Sequence, residues 1–219
     1  MLKLIRWVAT GLIAVLAVFW GVVWLAQRNP DGNAAQVLHT VQAWLGPPGP
    51  NADPGTNLGG PFSLTDMHGR AVTDSTYRGR WMLVYFGYAY CPDVCPTELQ
   101  TISTALDRLG PDAAKVVPLF ITIDPARDTP AALAQYVRLF DDRLIGLTGT
   151  PDQVAAVARA YRVYYAKISM PDRAAYLMDH SSFVYLMGPD GKFRALLSPS
   201  DGPDDIARKV EADITGHSS

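Results

Sequence analysis

An uncharged stretch of about 20 residues near the N-terminus, 7–26, divides the chain into parts that need different solvents. Its one conventional polar residue is Thr10. As a helix rising about 1.5 Å per residue, it spans the roughly 30 Å hydrocarbon core of a bilayer. Lys3 and Arg6 precede it and Arg28 follows. The excess of positive charge on the N-terminal side keeps that end in the cytoplasm and exports the rest. Trp20 and Trp24 lie toward the far end, where aromatic rings favour the interface. A cleaved signal peptide would have an apolar core of about 7–15 residues and a small-x-small cleavage site. This run is longer and ends in the bulky Val22-Val23-Trp24-Leu25-Ala26. No cysteine lies in or just after it, which argues against a lipoprotein anchor, and no Arg/Ser-rich leader precedes it. The expected organisation is a cytoplasmic tip and transmembrane helix over 1–28, a linker over 29–57 and a folded domain over 58–219. Within the linker, Gly46-Pro47-Pro48-Gly49-Pro50 reads as turn-rich chain. Val37, Leu38, Val41, Trp44 and Leu45 recur at helical spacing, as a short helix resting on the membrane or on the domain would require.

The exported part reads as an α/β domain of about 155 residues, enough for one sizeable core. Hydrophobic residues at 48% against 18% charged exclude a disordered chain. A net charge of −2 excludes binding nucleic acid by charge alone. Met82-Leu83-Val84-Tyr85-Phe86 is an apolar run suited to a buried strand. Leu99, Ile102, Leu106 and Leu109 mark one helical face, stopped by Gly110-Pro111. Residues 116–123 form a second strand in which Pro118 restricts pairing. Thr129-Pro130 opens a helix with the face Leu133, Tyr136, Val137 and Phe140, and residues 144–147 read as a further strand. Thr150-Pro151-Asp152-Gln153 is a capping-box start. Residues 182–187 and 192–197 flank Gly188-Pro189-Asp190-Gly191 as a hairpin, and Ile206, Val210 and Ile214 mark a last helix.

The two cysteines sit in Cys91-Pro92-Asp93-Val94-Cys95-Pro96, between the first strong strand and a helix. Two cysteines exclude a disulfide-dense scaffold and a four-cysteine zinc site. Pro96 suits the first helical position, which makes Cys95 the expected N-cap. A helix N-terminus favours thiolates. Closing so short a loop with a disulfide contributes only about 2 kcal/mol in the chain-entropy view, so stability is a weak reason for the pair. A two-residue spacer would suggest thioredoxin-type redox chemistry. Three residues leave room for a metal, and two thiolates suit Cu(I).

Of the four histidines, His39, His68 and His217 fall in the linker, a turn and the C-terminal tail and read as solvated. His180 directly precedes a strand and is either a ligand or an ordinary loop residue on this reading. Asp124, in Asp124-Pro125-Ala126-Arg127-Asp128-Thr129-Pro130, is either an acceptor behind the site or plain turn chemistry. Asp179, beside His180, is a second such acceptor candidate. Met170 and Met178 are soft donors near His180, although methionine more often fills gaps. The tyrosines at 85–90 and 161–165 read as strand and core residues.

Taken in order, these pieces resemble the Sco/SenC family of copper-binding, thioredoxin-like proteins. Gly59-Gly60-Pro61-Phe62-Ser63-Leu64-Thr65-Asp66 is similar to its domain start. Trp81-Met82-Leu83-Val84-Tyr85-Phe86-Gly87-Tyr88 and then the cysteine motif are similar to its metal region. The Asp124–Pro130 stretch, Asp179-His180-Ser181 and Gly188-Pro189-Asp190-Gly191 complete the pattern over residues 58–215. The resemblance implies a thioredoxin-like domain with a central mixed β-sheet flanked by helices. It implies one copper ion, Cu(I) or Cu(II), on Cys91, Cys95 and His180. It further implies a metallochaperone rather than an enzyme, serving the dinuclear copper site of subunit II of cytochrome c oxidase. The partners implied are that subunit and other periplasmic copper chaperones. The anchor and an address in the bacterial inner membrane, single-pass with the domain in the periplasm, are typical of the family. The main rival is a thiol–disulfide reductase in which Cys91 and Cys95 cycle as a redox disulfide. A peroxiredoxin-like peroxidase lacks its Pro and Thr/Ser pattern before Cys91, and a copper sensor would need a downstream partner.

Overall fold

The fold rests on two strands that are apolar along their whole length. β3 (Trp81–Gly87) and β4 (Val116–Thr122) are buried at every residue. Such runs suit parallel strands covered on both faces. The two pair in parallel over all seven residues, from Trp81 opposite Val116 to Gly87 opposite Thr122. This computed structural model describes residues 58–169 and 176–216. The expected membrane helix and linker helix, His39, Met170 and His217 lie outside the described residues. Among the described residues, no helix is long and apolar enough to cross a membrane.

β1 (Ser63–Asp66), β2 (Ala71–Thr73), β5 (Ile145–Thr148), β8 (Val184–Met187) and β9 (Phe193–Leu197) complete a seven-stranded sheet ordered β2-β1-β5-β4-β3-β8-β9. β5 runs parallel to β4, whereas β1 on β5 and β8 on β3 are antiparallel, so the sheet is mixed as expected. Pro118 is tolerated inside β4 because the β4–β5 register starts one residue later, at Leu119 opposite Ile145. α1 (Val94–Arg108) and α2 (Pro130–Val137) connect the parallel strands, followed by α3 (Pro151–Ala160) and α4 (Pro203–Gly216). α1 packs against α4, and α2 against β5.

Several boundaries moved. α2 stops at Val137, short of Phe140, and β5 begins at Ile145 rather than Leu144. The hairpin strands start at Val184 and Phe193. The capping box of α3 is present: Thr150 Oγ1 accepts from the Gln153 N–H at 3.2 Å, and Gln153 Oε1 accepts from the Thr150 N–H at 2.8 Å.

The sequence reading of Cys95 as N-cap needs correction. The N-cap of α1 is Asp93, and Cys95 already lies in the first turn. Proline is accepted throughout that turn, because its N–H groups have no intrahelical acceptor, so Pro96 does not single out one start. A second sheet was not anticipated. β6 (Tyr165–Ser169) and β7 (Tyr176–His180) form an antiparallel pair apart from the main sheet, and His180 ends β7.

α1 turns Leu99, Ile102 and Leu106 into the core together with the carboxyl of Glu98. Glu98 Oε1 has no hydrogen-bond partner among the described residues. Burial, with Asp201 adding, pushes its pKa up to about 7. A folded-state pKa raised above the unfolded value lowers stability as pH climbs from about 4.5 to about 7. Glu98→Gln is therefore expected to stabilise the protein by about 1–3 kcal/mol at pH 8 and by little at pH 4, read by urea denaturation at both pH values. At the end of β3, a Cβ on Gly87 would stand 2.8 Å from Phe120 and 2.9 Å from Cys95 Sγ. Gly87→Ala should cost about 1–3 kcal/mol in the same assay by overpacking.

Candidate metal centre

The end of β3 and the start of α1 place the sulfurs. After Gly87 the chain turns, with the Cys91 N–H donating to the Tyr88 carbonyl at 3.2 Å. Helix α1 then begins with the Cys95 N–H donating to Cys91 Sγ at 3.4 Å. A first-turn N–H, left free by helix geometry, thus serves the first sulfur rather than the second. Both thiols are free and buried, Cys95 completely.

His180 comes from the other sheet, and its Nε2 lies 3.4 Å from Cys95 Sγ. Its Nδ1 is 3.0 Å from the Ser181 carbonyl, which can only accept, so Nδ1 donates there and Nε2 is the ring nitrogen that faces the sulfurs. The Tyr85 and Tyr88 rings meet the imidazole edge-on, with centroids 6.3 and 6.0 Å away. The two sulfurs and one imidazole nitrogen lie within 4.8 Å of one another. Soft sulfur with one borderline nitrogen is a donor set for copper or another thiophilic ion, with positions left for an incoming ligand.

The two thiols are electrically unlike. A hydrogen bond from the Cys95 thiol pulls Cys91 down to about 4 despite burial, with His180 and the Asp93 and Cys95 N–H groups helping. Cys95, donor in that bond and fully buried, is pushed up. The two directions oppose: the Cys91 thiol is lowered and the Cys95 thiol is raised.

Residues 50–215 match the SCO1/SenC family model. The chain belongs to the SCO1/SenC family. The mitochondrial SCO1 homolog of Homo sapiens is 46% identical over 158 residues, covering 70% of this chain and 52% of that protein. The chain spans little more than half the length of the curated relatives it matches. Bradyrhizobium japonicum ScoI, solved with copper bound, is 45% identical with a TM-score of 0.66, over 71% of this chain and 98% of that one. Arabidopsis thaliana ScoI, also solved with copper bound, is 41% identical with a TM-score of 0.69, over 73% and 99%.

In this SCO1/SenC chain the remaining candidates fall farther out. Asp124 touches no donor atom. It accepts from the Tyr176 hydroxyl at 2.8 Å and pairs with Arg127. Asp179 is exposed on β7, and strand alternation sends it away from the His180 face. His68 is exposed in the β1–β2 turn, and Met178 is partly buried against the core. Two residues the sequence did not single out matter more. Asp128, fully buried, accepts through Oδ2 from the Ala89 N–H at 3.0 Å and Thr122 Oγ1 at 2.6 Å, which fixes the loop before Cys91. Arg127 lies among Tyr88, Tyr90 and Tyr176. Their only sequence signal was the Asp-Pro…Asp-Thr-Pro run, which turn chemistry explains equally well.

The thiol asymmetry has a direct readout. Reduced, metal-free protein should show thiolate absorbance near 240 nm worth one sulfur per chain from pH 6 to 8. That absorbance should fall on acidification with a midpoint of about 4 and be absent at neutral pH in Cys91→Ser.

Proposed function

We propose that this chain is a membrane-anchored copper metallochaperone that delivers one copper ion to the dinuclear site of subunit II of cytochrome c oxidase. The observation that carries the reading is the convergence of Cys91 Sγ, Cys95 Sγ and His180 Nε2 within 4.8 Å. Relatives at 45% and 41% identity are solved with copper bound, and this donor set suits the same cargo. Cys91, already a thiolate, receives the ion, and Cys95 gives up its proton as the second sulfur binds. His180 completes a three-donor site that favours Cu(II) more than two sulfurs alone, because imidazole suits the harder ion. An open site lets a thiolate of the oxidase subunit join before a protein ligand leaves, so the ion is never free. The uncharged residues 7–26 support a single-pass anchor in the bacterial inner membrane, with residues 58 onward in the periplasm. Tethering would raise the domain's effective concentration beside the membrane-bound oxidase, while other periplasmic copper chaperones supply the ion.

The split between the two thiols favours a second reading, a thiol–disulfide reductase. The Cys91 thiolate attacks one sulfur of a target disulfide and forms a mixed disulfide, releasing the other target sulfur as thiolate. Cys95 then attacks Cys91 Sγ, closing the Cys91–Cys95 disulfide and freeing the second target sulfur. The target gains two electrons and this chain loses two; the Cys95 proton passes to a released sulfur.

Copper stoichiometry separates these readings, with Cu(I) affinity measured under reducing conditions and Cu(II) affinity measured on pre-reduced protein after the reductant is removed. Wild type is expected to bind one Cu(I) per chain. Cys91→Ser and Cys95→Ser should abolish tight binding. His180→Ala should lower Cu(II) affinity by at least the roughly 10–100-fold typical of losing even an outer partner. The cysteine variants should fail to support oxidase maturation. Weak, substoichiometric copper in wild type, with a readily reduced Cys91–Cys95 disulfide, would replace the metallochaperone by the reductase.

A further inference from the structure

The strand that delivers the imidazole is not part of the main sheet. β6 and β7 pair only with each other. An isolated two-stranded hairpin is marginal in water, so the position of His180 depends on what else holds β7. Along that strand Tyr176 and His180 are four residues apart. The two-residue repeat puts them on one face about 13 Å from each other. His180 meets the cysteine pocket, and Tyr176 meets a charged cluster.

That cluster is centred on Arg127. Its Nη1 donates to the Tyr176 carbonyl at 3.0 Å, and its guanidinium carbon stands 3.7 Å from the centre of the Tyr176 ring. Asp124 fixes the guanidinium through Nε and accepts from the Tyr176 hydroxyl, so the cation is aligned from behind. The same guanidinium carbon is 4.9 Å from the Tyr90 ring and 5.7 Å from the Tyr88 ring. Those tyrosines belong to the loop that runs into Cys91. One planar cation therefore touches both the cysteine-bearing loop and the histidine-bearing strand.

We propose that Arg127 is a positioning residue for the third ligand: wedged between Tyr90 and Tyr176, it holds β7 against the Cys91 loop and so sets His180 over the two sulfurs. This rests on the copper reading above. Arg127 contacts no donor atom and acts only through Tyr176 and the strand. Its consequence is selective. Two thiolates can hold Cu(I) without the imidazole, whereas Cu(II) depends on the nitrogen. A loosened β7 therefore weakens Cu(II) binding more than Cu(I) binding. Lysine is a poor substitute: an ammonium can sit over a ring, as Lys167 does 3.6 Å from the Tyr176 centroid, but it cannot lie flat between two rings and donate in a planar fork.

The test uses the full chain carrying Arg127→Gln, Arg127→Lys or Tyr176→Leu, each with His180 intact and in the His180→Ala background. Amide hydrogen exchange on metal-free protein should speed up in β6 and β7 and stay unchanged in β3 and β4. Cu(II) affinity should fall about 10–100-fold with loss of nitrogen hyperfine structure in the electron paramagnetic resonance spectrum, while Cu(I) affinity changes far less. In the His180→Ala background the same substitutions should add nothing. Arg127→Lys should remain impaired. Tyr176→Leu, at a partly exposed position, should reproduce Arg127→Gln and keeps the test decisive if the arginine variant folds poorly. Unchanged exchange with wild-type nitrogen coordination would overturn the proposal. An equal loss of Cu(II) affinity with and without His180 would overturn it too. Failure of wild type to bind copper would instead overturn the metallochaperone reading, leaving the exchange data to decide the clamp.

Discussion

Parallel pairing of β3 with β4 brings the C-terminal ends of both strands to one edge of the sheet, and the site is assembled there. The Ile123 N–H donates to the Gly87 carbonyl at 2.8 Å, so the two chains leave the sheet side by side. From β3 comes the loop with Cys91; from β4 comes the stretch with Asp124, Arg127 and Asp128. The buried Asp128 carboxylate ties them, taking one hydrogen bond from each side. Gly87 leaves the space that Cys95 Sγ occupies, so the main chain makes room for the sulfur before any ligand arrives.

The centre thus joins two unequal supports. Both sulfurs are fixed by a seven-stranded sheet and the first turn of a fifteen-residue helix. The nitrogen stands on a two-stranded ribbon whose described ties to the body are side-chain contacts. The sulfurs differ as well: the hydrogen bond between them lowers the Cys91 thiol, and that bond together with burial raises the Cys95 thiol. In the two proposed readings, metal uptake and disulfide exchange would both begin at this pair, which is why they share residues.

Much of this was legible in the chain. β3, β4, α1 and α3 announce themselves through fully apolar runs, a 3.6-residue stripe and a capping box, signals that tertiary context did not override. The cysteines were legible because their partner lies within one turn. His180 was not legible from local pattern: its partner atoms are 85 residues away, and only the order of motifs singled it out. β6 and β7 escaped because Tyr165-Ala166-Lys167-Ile168-Ser169 is half exposed and carries no sustained alternation. Asp128 and Arg127 escaped for another reason. Asp-Pro and Thr-Pro are sufficient as turn formers, and nothing local says that one carboxylate is buried or that one guanidinium lies against three rings.

His180 and Cys95 stand 85 residues apart in the chain, so the copper site we propose would be complete only once β7 is in place. A chain on which β3 and α1 have formed, but β7 has not, presents only a pair of thiols that any thiophilic ion can occupy. The nitrogen arrives when the ribbon closes over that pair. In the proposed site, coordination through nitrogen would therefore require the folded ribbon, whereas coordination through sulfur alone would not.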